Sequence, residues 1–219
     1  MVTFEDVKNN EDIKALISSS QRQLNELGYT EHSVRHATIV SNRAAEVLAA
    51  LKYPEERIEL AKIAGYMHDI GNAINRTHHT EYGALLANDL LKDTDMSLED
   101  RITVMSAIGN HDESTGDPED VISAALIIAD KTDVRRSRVR QKEQSAFDIH
   151  DRVNYAVTDS KLKIAKDRSV IALNLQIDEN ICSMYDYFEI FLERMMLCRK
   201  SAEVLGTTFK LTVNGRKVL

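Results

Sequence analysis

The stretch Ala61-Lys-Ile-Ala-Gly-Tyr-Met-His68-Asp69-Ile-Gly71 decides the fold. Ile58, Ala61, Ala64, Gly65 and Ile70 recur at helical spacing, and the small members of the set let a neighbouring helix come close. Gly71 reads as the left-handed residue that ends the helix. The helix therefore delivers an imidazole and a carboxylate side by side at the edge of an apolar interior. That is costly unless something pairs them, and a divalent cation pairs both at once. The plain alternative is local pairing of His68 with Asp69.

Working outward, the doublet gains weight from its company. His-Asp also occurs at His111-Asp112 and at His150-Asp151, the last in a polar context with no site argument. His36 lies on an amphipathic stretch upstream, His79 precedes Gly83, His111 follows an apolar segment, and Asp130 ends the run Ile-Ile-Ala-Asp. Each is a metal-capable side chain at or near the end of an apolar helix. Just beyond Asp130 stand Arg135, Arg136, Arg138 and Arg140, which read either as a solvated face or as a phosphate clamp, since guanidinium groups hold phosphate bidentately.

Composition narrows the classes. The 219 residues are 43% hydrophobic and 29% charged, enough to bury a sizeable core. A net charge of −7 argues against bulk binding to a nucleic-acid polymer or an anionic membrane. No stretch reads as a membrane span or signal peptide, and the two cysteines, Cys182 and Cys198, read as buried thiols of a cytoplasmic protein. Two prolines and eight glycines favour long helices.

In chain order, residues 3 to 27 read as one or two helices ended by Gly28. Thr30 is the expected cap of a helix to Leu51, and Pro54 opens the helix of the doublet. Further helices are expected over 81–92, 98–108 and 119–131. Residues 161–165 and 170–177 alternate with period two and read as a hairpin. A helix over 185–205, a strand over 209–213 and a tight turn at Asn214-Gly215 follow. The fold class is mainly α: a helical bundle carrying a small C-terminal antiparallel sheet. The expected division is an N-terminal helical segment at 1–29, a metal-binding helical core at 30–155, and an appendage at 156–219 that could serve as a lid or a homodimer contact.

His36, His68-Asp69 and Asp130 resemble the H…HD…D signature of the HD superfamily of metal-dependent phosphohydrolases, and His68-Asp-Ile-Gly71 resembles its HDIG variant. His79-Thr-Glu-Tyr-Gly83 and Ala107-Ile-Gly-Asn-His111 are similar to segments of the members that bind two metals. The resemblance implies an all-helical core around two divalent transition ions such as iron, manganese or zinc. It places His36, His68 and Asp130 on the first ion, His79 and His111 on the second, and Asp69 between them as the catalytic bridge. Imidazoles and carboxylates suit such ions, which activate water at neutral pH.

Two registers stand for the first histidine. His36 starts an apolar stripe through Val40, Ala44 and Leu48, whereas His32-Ser-Val-Arg35 resembles the family's first H-x-x-R element. With His36 as ligand, His32 resembles the histidine that protonates the leaving group in HD-type cyclic nucleotide phosphodiesterases. His32 would then share a helical face with His36. Lys131, Arg135 and Arg136 are the candidate phosphate contacts; Asn72 stands where many HDIG proteins have lysine. His78 reads as a mouth residue, and Tyr66, Tyr82 and Phe147 are candidates for base stacking. The expected activity is hydrolysis of a phosphate ester or anhydride of a small, nucleotide-like substrate. The alternatives are a dinuclear-iron oxygenase on the same scaffold and a nucleotide-binding or sensing module without turnover.

Overall fold

A computed structural model describes residues 2–139 and 149–219, with the backbone alone for 149 and 150. Arg140 and Phe147 lie outside the described residues. Helices α1 (Phe4–Asn9) and α2 (Glu11–Glu26) are separate because Asn10 ends the first in extended geometry and caps the second, accepting from the amides of Asp12 and Ile13. Gly28 follows with φ +82°, a conformation that favours glycine.

Helix α3 (Val34–Ala50) is capped by Ser33 rather than Thr30, since the Ser33 hydroxyl accepts from the Arg35 amide. The helix thus begins later than expected, and His32 lies before it rather than one turn along it. Helix α4 (Glu55–Met67) starts after Pro54, whose missing N–H costs nothing there, and it ends at His68. Asp69 then leads into a 3₁₀ turn, Ile70–Ala73.

Gly71 does not take the left-handed conformation expected of it, being absent from the glycines with positive φ. Its reason is space: a Cβ there would lie 2.0 Å from the His79 carbonyl oxygen and 2.4 Å from the Gly83 amide. Gly65 does what the small-residue stripe implied, because a Cβ at that position would meet the Ser41 backbone at 2.8 Å where α3 crosses α4.

Helix α5 (His79–Leu91) packs on α6 (Leu98–Gly109), and α7 (Val121–Lys131) packs against α3, α4 and α6. The last is started by Asp120, which forms a capping box with Ser123, not by the residues directly after Pro118. Val40, Ala44, Leu48, Ala61, Ile63, Ala64, Leu126 and Ile128 are buried at the centre of this bundle.

After a 3₁₀ turn (Arg136–Arg138) and helix α8 (Ile149–Ala156), strands β1 (Val157–Ile164) and β2 (Val170–Ile177) pair antiparallel as the hairpin pattern predicts. Helix α9 (Met184–Val204) leads to β3 (Thr208–Val213), and Asn214-Gly215, both at positive φ, turn the chain into β4 (Arg216–Lys217). The expected antiparallel sheet needs one correction: β3 pairs parallel to β2 in the order β1-β2-β3-β4. A 21-residue helix between two strands makes a crossover rather than a hairpin, so the second strand re-enters in the same direction. That crossover helix also packs against α7, which brings the C-terminal unit to the bundle.

Candidate metal centre

Helix ends converge on one point. His36 sits in the first turn of α3, His68 ends α4, His79 is the first residue of α5, His111 follows α6, and Asp130 stands one residue before the end of α7. His79 entering α5 rather than preceding it is what aims its ring inward. The close approach at Gly71 lets the 3₁₀ turn nest against the start of α5.

In each of these histidines the Nδ1 nitrogen faces an oxygen that fixes the ring. The partner is Asp133 Oδ2 for His36 at 2.8 Å, the Gly65 carbonyl for His68 at 2.8 Å, the Arg76 carbonyl for His79 at 2.9 Å, and the Ile108 carbonyl for His111 at 2.7 Å. A carbonyl only accepts, so Nδ1 carries the proton and Nε2 presents a lone pair. That tether is the arrangement by which proteins orient metal-binding imidazoles.

The Nε2 atoms then crowd the two carboxylates. His68 Nε2 is 3.1 Å and His36 Nε2 3.7 Å from Asp69 Oδ2, while Asp130 Oδ1 lies 3.3 Å from His36 Nε2 and 3.8 Å from His68 Nε2. The other oxygen, Asp69 Oδ1, is 4.0 Å from Nε2 of both His79 and His111. Asp69 thus turns one oxygen to each pair of histidines. Among the described residues, His36 Nε2, His68 Nε2 and Asp69 Oδ2 are buried without a hydrogen-bond partner. Acceptors held together in this way repel unless positive charge lies between them, supplied by a proton that the carboxylates favour on His68 or by a cation, so the residues fit a metal. The atoms of His36, His68 and Asp130 form one potential ligand group, and those of His68, Asp69 and His111 another.

Burial opposes charge on Asp69, yet the nearby imidazoles, His68 foremost, hold its carboxyl well below the usual range. Asp130 is likewise depressed, by Lys131 first among the groups that counter its burial. Burial and the neighbouring His68 and His79 bring His111 down to about 3, leaving a neutral ring with a free lone pair. Asn72, buried beside the turn, donates to Asp69 Oδ1 at 2.9 Å and so orients the carboxylate rather than reaching outward.

A cavity of about 230 Å³ opens over these atoms, lined by His32, Asp69, His79, His111, Asp130 and Lys131. His32 reaches it from the loop before α3, its ring 5.5 Å from that of His36 and its Nδ1 fixed by the Thr30 carbonyl at 2.6 Å. Burial pushes its imidazole well below the ordinary value. Lys131 Nζ lies 2.9 Å from Asp130 Oδ2 and 2.6 Å from Glu113 Oε2. Burial works against its charge, but Asp130 and Glu113 hold it above the normal lysine range.

The arginine cluster is placed differently from its expected role. Arg135 lies against Asp133, with Nε 2.6 Å from Oδ1, and Arg136 donates to the Tyr155 carbonyl at 2.5 Å and stacks on that ring. Neither is among the residues lining the cavity. Arg138 does line it, although its guanidinium donates to the carbonyls of Glu31 and Asp133. His78 is exposed at the start of α5, Tyr82 packs against it, and Tyr66 is core, edge-on to Phe4; among the described residues, Tyr29 is the tyrosine that lines the cavity. Sequence reasoning missed Asp133, Glu113, Arg76 and Arg194. Asp133, three residues after Asp130, carried a local signal; Arg194, on α9, carried none.

The sequence profile described as HD domain matches residues 29–138, half of the chain. A relative, the uncharacterised protein MJ1020 of Methanocaldococcus jannaschii, is 28% identical over 173 residues, which is 68% of this chain and 66% of that protein. The matched half ends just beyond Asp133 and contains every converging histidine and both carboxylates, and with that the chain belongs to the HD domain family.

Proposed function

We propose that the protein hydrolyses a phosphate ester or anhydride of a small phosphorylated substrate at a two-ion centre. The observation that carries this reading is the single carboxylate, Asp69, offering separate oxygens to two pairs of tethered imidazoles. His36, His68, Asp69 and Asp130 would hold one divalent transition ion, and Asp69, His79 and His111 the second. Such ions would lower the pKa of a bound water and offset the charge of phosphoryl oxygens.

The residues of the chain supply the rest. Lys131, beside Asp130 and in the cavity wall, sets a positive charge where phosphoryl oxygens would lie. His32 has its proton on Nδ1 and is held neutral, so it accepts a hydrogen bond at Nε2; to protonate a leaving group it must first take up a proton, which the Asp69 carboxylate favours against burial. Arg135 and Arg136 act from behind the wall, the first by locking Asp133. The cavity volume suits a small substrate rather than a polymer.

The test is elemental analysis of protein purified without chelator, followed by turnover of p-nitrophenyl phosphate and bis-p-nitrophenyl phosphate with manganese, iron, cobalt or magnesium supplied in turn. About two ions per chain and metal-dependent release of p-nitrophenol are expected, both lost in Asp69→Ala. Full metal content and turnover in that variant would remove Asp69 from the site. Ferrous protein that consumes oxygen with an organic substrate and ignores phosphoesters would replace hydrolysis with oxygenase chemistry.

A further inference from the structure

Resting on the phosphohydrolase reading, we infer that Arg194, on helix α9 beyond the HD-matched segment, is a substrate-binding residue, and that the substrate carries a second anionic group besides the phosphoryl group at the metal centre. Arg194 lines the cavity together with Lys131, Arg138 and Arg76, and these four cations differ in what they have left to offer. Arg138 is engaged through Nε and both terminal nitrogens by the Glu31 and Asp133 carbonyls. Arg76 bonds Asn72 and lies over the Tyr29 ring. Lys131 is clasped between Asp130 and Glu113.

Among the described residues, Arg194 donates through Nε alone, to Glu113 Oε1 at 2.7 Å, while its guanidinium carbon sits 4.7 Å over the centre of the Phe191 ring. The ion pair and the ring fix the plane of the guanidinium. Among the described residues, Glu113 is its hydrogen-bond partner, so the two terminal nitrogens form a pre-oriented fork of the kind that grips a phosphate or carboxylate. Burial alone would discourage the charge, and the acidic groups around it, Glu113 foremost with Asp130 and Asp112, offset it and keep the guanidinium protonated.

The position fits a second anion rather than the first. Asp130, Lys131, Glu113 and Arg194 form a chain of contacts of 2.9, 2.6 and 2.7 Å. Arg194 therefore stands three ion pairs from the metal-facing carboxylate, so Lys131, which touches Asp130 directly, is the cation beside the phosphoryl group and Arg194 is placed for the far end of the same small molecule. A substrate with one phosphoryl group and no other charge would leave the fork without a partner.

Calorimetric titration with two non-hydrolysable probes tests this: 4-phosphonobutyrate, which has a phosphonate and a carboxylate, and butylphosphonate, which has the phosphonate alone. Metal-loaded wild-type protein is expected to bind the first more tightly. Arg194→Gln should weaken 4-phosphonobutyrate by about tenfold, the worth of a charge-assisted pair, and leave butylphosphonate unchanged. Arg194→Lys, which keeps the charge but loses the fork, should fall between and guards against misfolding, with thermal midpoints measured for all three proteins. Equal affinities for both probes in wild type, or an Arg194→Gln variant that binds both as wild type does, overturns the inference while leaving the phosphohydrolase reading intact. Equal loss of both probes with a lowered midpoint makes Arg194 a structural strut and also overturns it. Wild-type protein that binds neither probe overturns both readings.

Discussion

Asp133 shows how a residue outside the signature governs those inside it. Its Oδ2 accepts from His36 Nδ1 at 2.8 Å, and Arg135 and Arg138 hold the carboxylate in turn. The hydrogen bond from His36 and the guanidinium of Arg135 keep it ionised against its burial. Asp133→Ala would leave the His36 ring free to turn and to change tautomer. Metal affinity is expected to fall by about 10- to 100-fold, the usual cost of losing such an outer partner, while the helical circular dichroism stays native. Competition titration with a chromophoric chelator measures it; unchanged affinity would mean that packing alone orients His36. Arg135→Ala should show the same effect in weaker form, acting through Asp133.

At the scale of elements, the close packing of the 3₁₀ turn on α5 sets the site's shape. A Cβ on Gly71 would overlap backbone atoms of His79 and Gly83, which no rotamer change relieves. Gly71→Ala is therefore expected to destabilise by about 3 kcal/mol or more and to lower metal content, because His79 moves with the segment it sits on. Gly28→Ala is the contrast. Its φ of +82° strains an alanine, but nothing lies within 4 Å of the added methyl, so a loss near 1 kcal/mol with full metal content is expected. Guanidinium unfolding and elemental analysis of the two variants separate the cases; a Gly71→Ala protein as stable as wild type would show that the turn yields.

For the whole molecule, acceptors facing one another at the centre mean that the metal-free fold carries repulsion that bound ions relieve. With metal at about 1,000 times its dissociation constant, the native state gains about 4 kcal/mol. Chelation should then lower the midpoint of thermal unfolding by about 10 °C in a domain of this size. A midpoint that stays put while the metal leaves would show that the bundle tolerates the bare site. The thiols report on the C-terminal unit. Cys182 and Cys198 are both buried, and burial raises Cys182 to about 11 from 9.0. A folded-state value above the unfolded one gives stability that is complete below pH 9 and is lost as pH rises toward 11. Native protein at pH 8 should therefore leave an aromatic disulfide reagent unreduced, and guanidinium should release both thiols. Rapid labelling without denaturant would mean that α9 opens readily.

The amino-acid sequence by itself determined the helices, the hairpin and the inventory of metal-capable side chains. Periodicity, caps and turn residues act over a few positions, and the metal-capable side chains happen to stand at helix ends where those signals are strongest. Even there a local rule misled at Gly71, whose role is space rather than a left-handed bend, and at Thr30, where Ser33 made the better cap. Only the tertiary structure decided what faces what. The parallel pairing of β3 with β2, the reach of Asp133 to a histidine 97 residues earlier, and the Glu113 to Arg194 pair spanning 81 residues all depend on how elements pack. Two side chains that distant leave no spacing to read, because the free energy that joins them exists only once the bundle and the C-terminal unit have closed on each other.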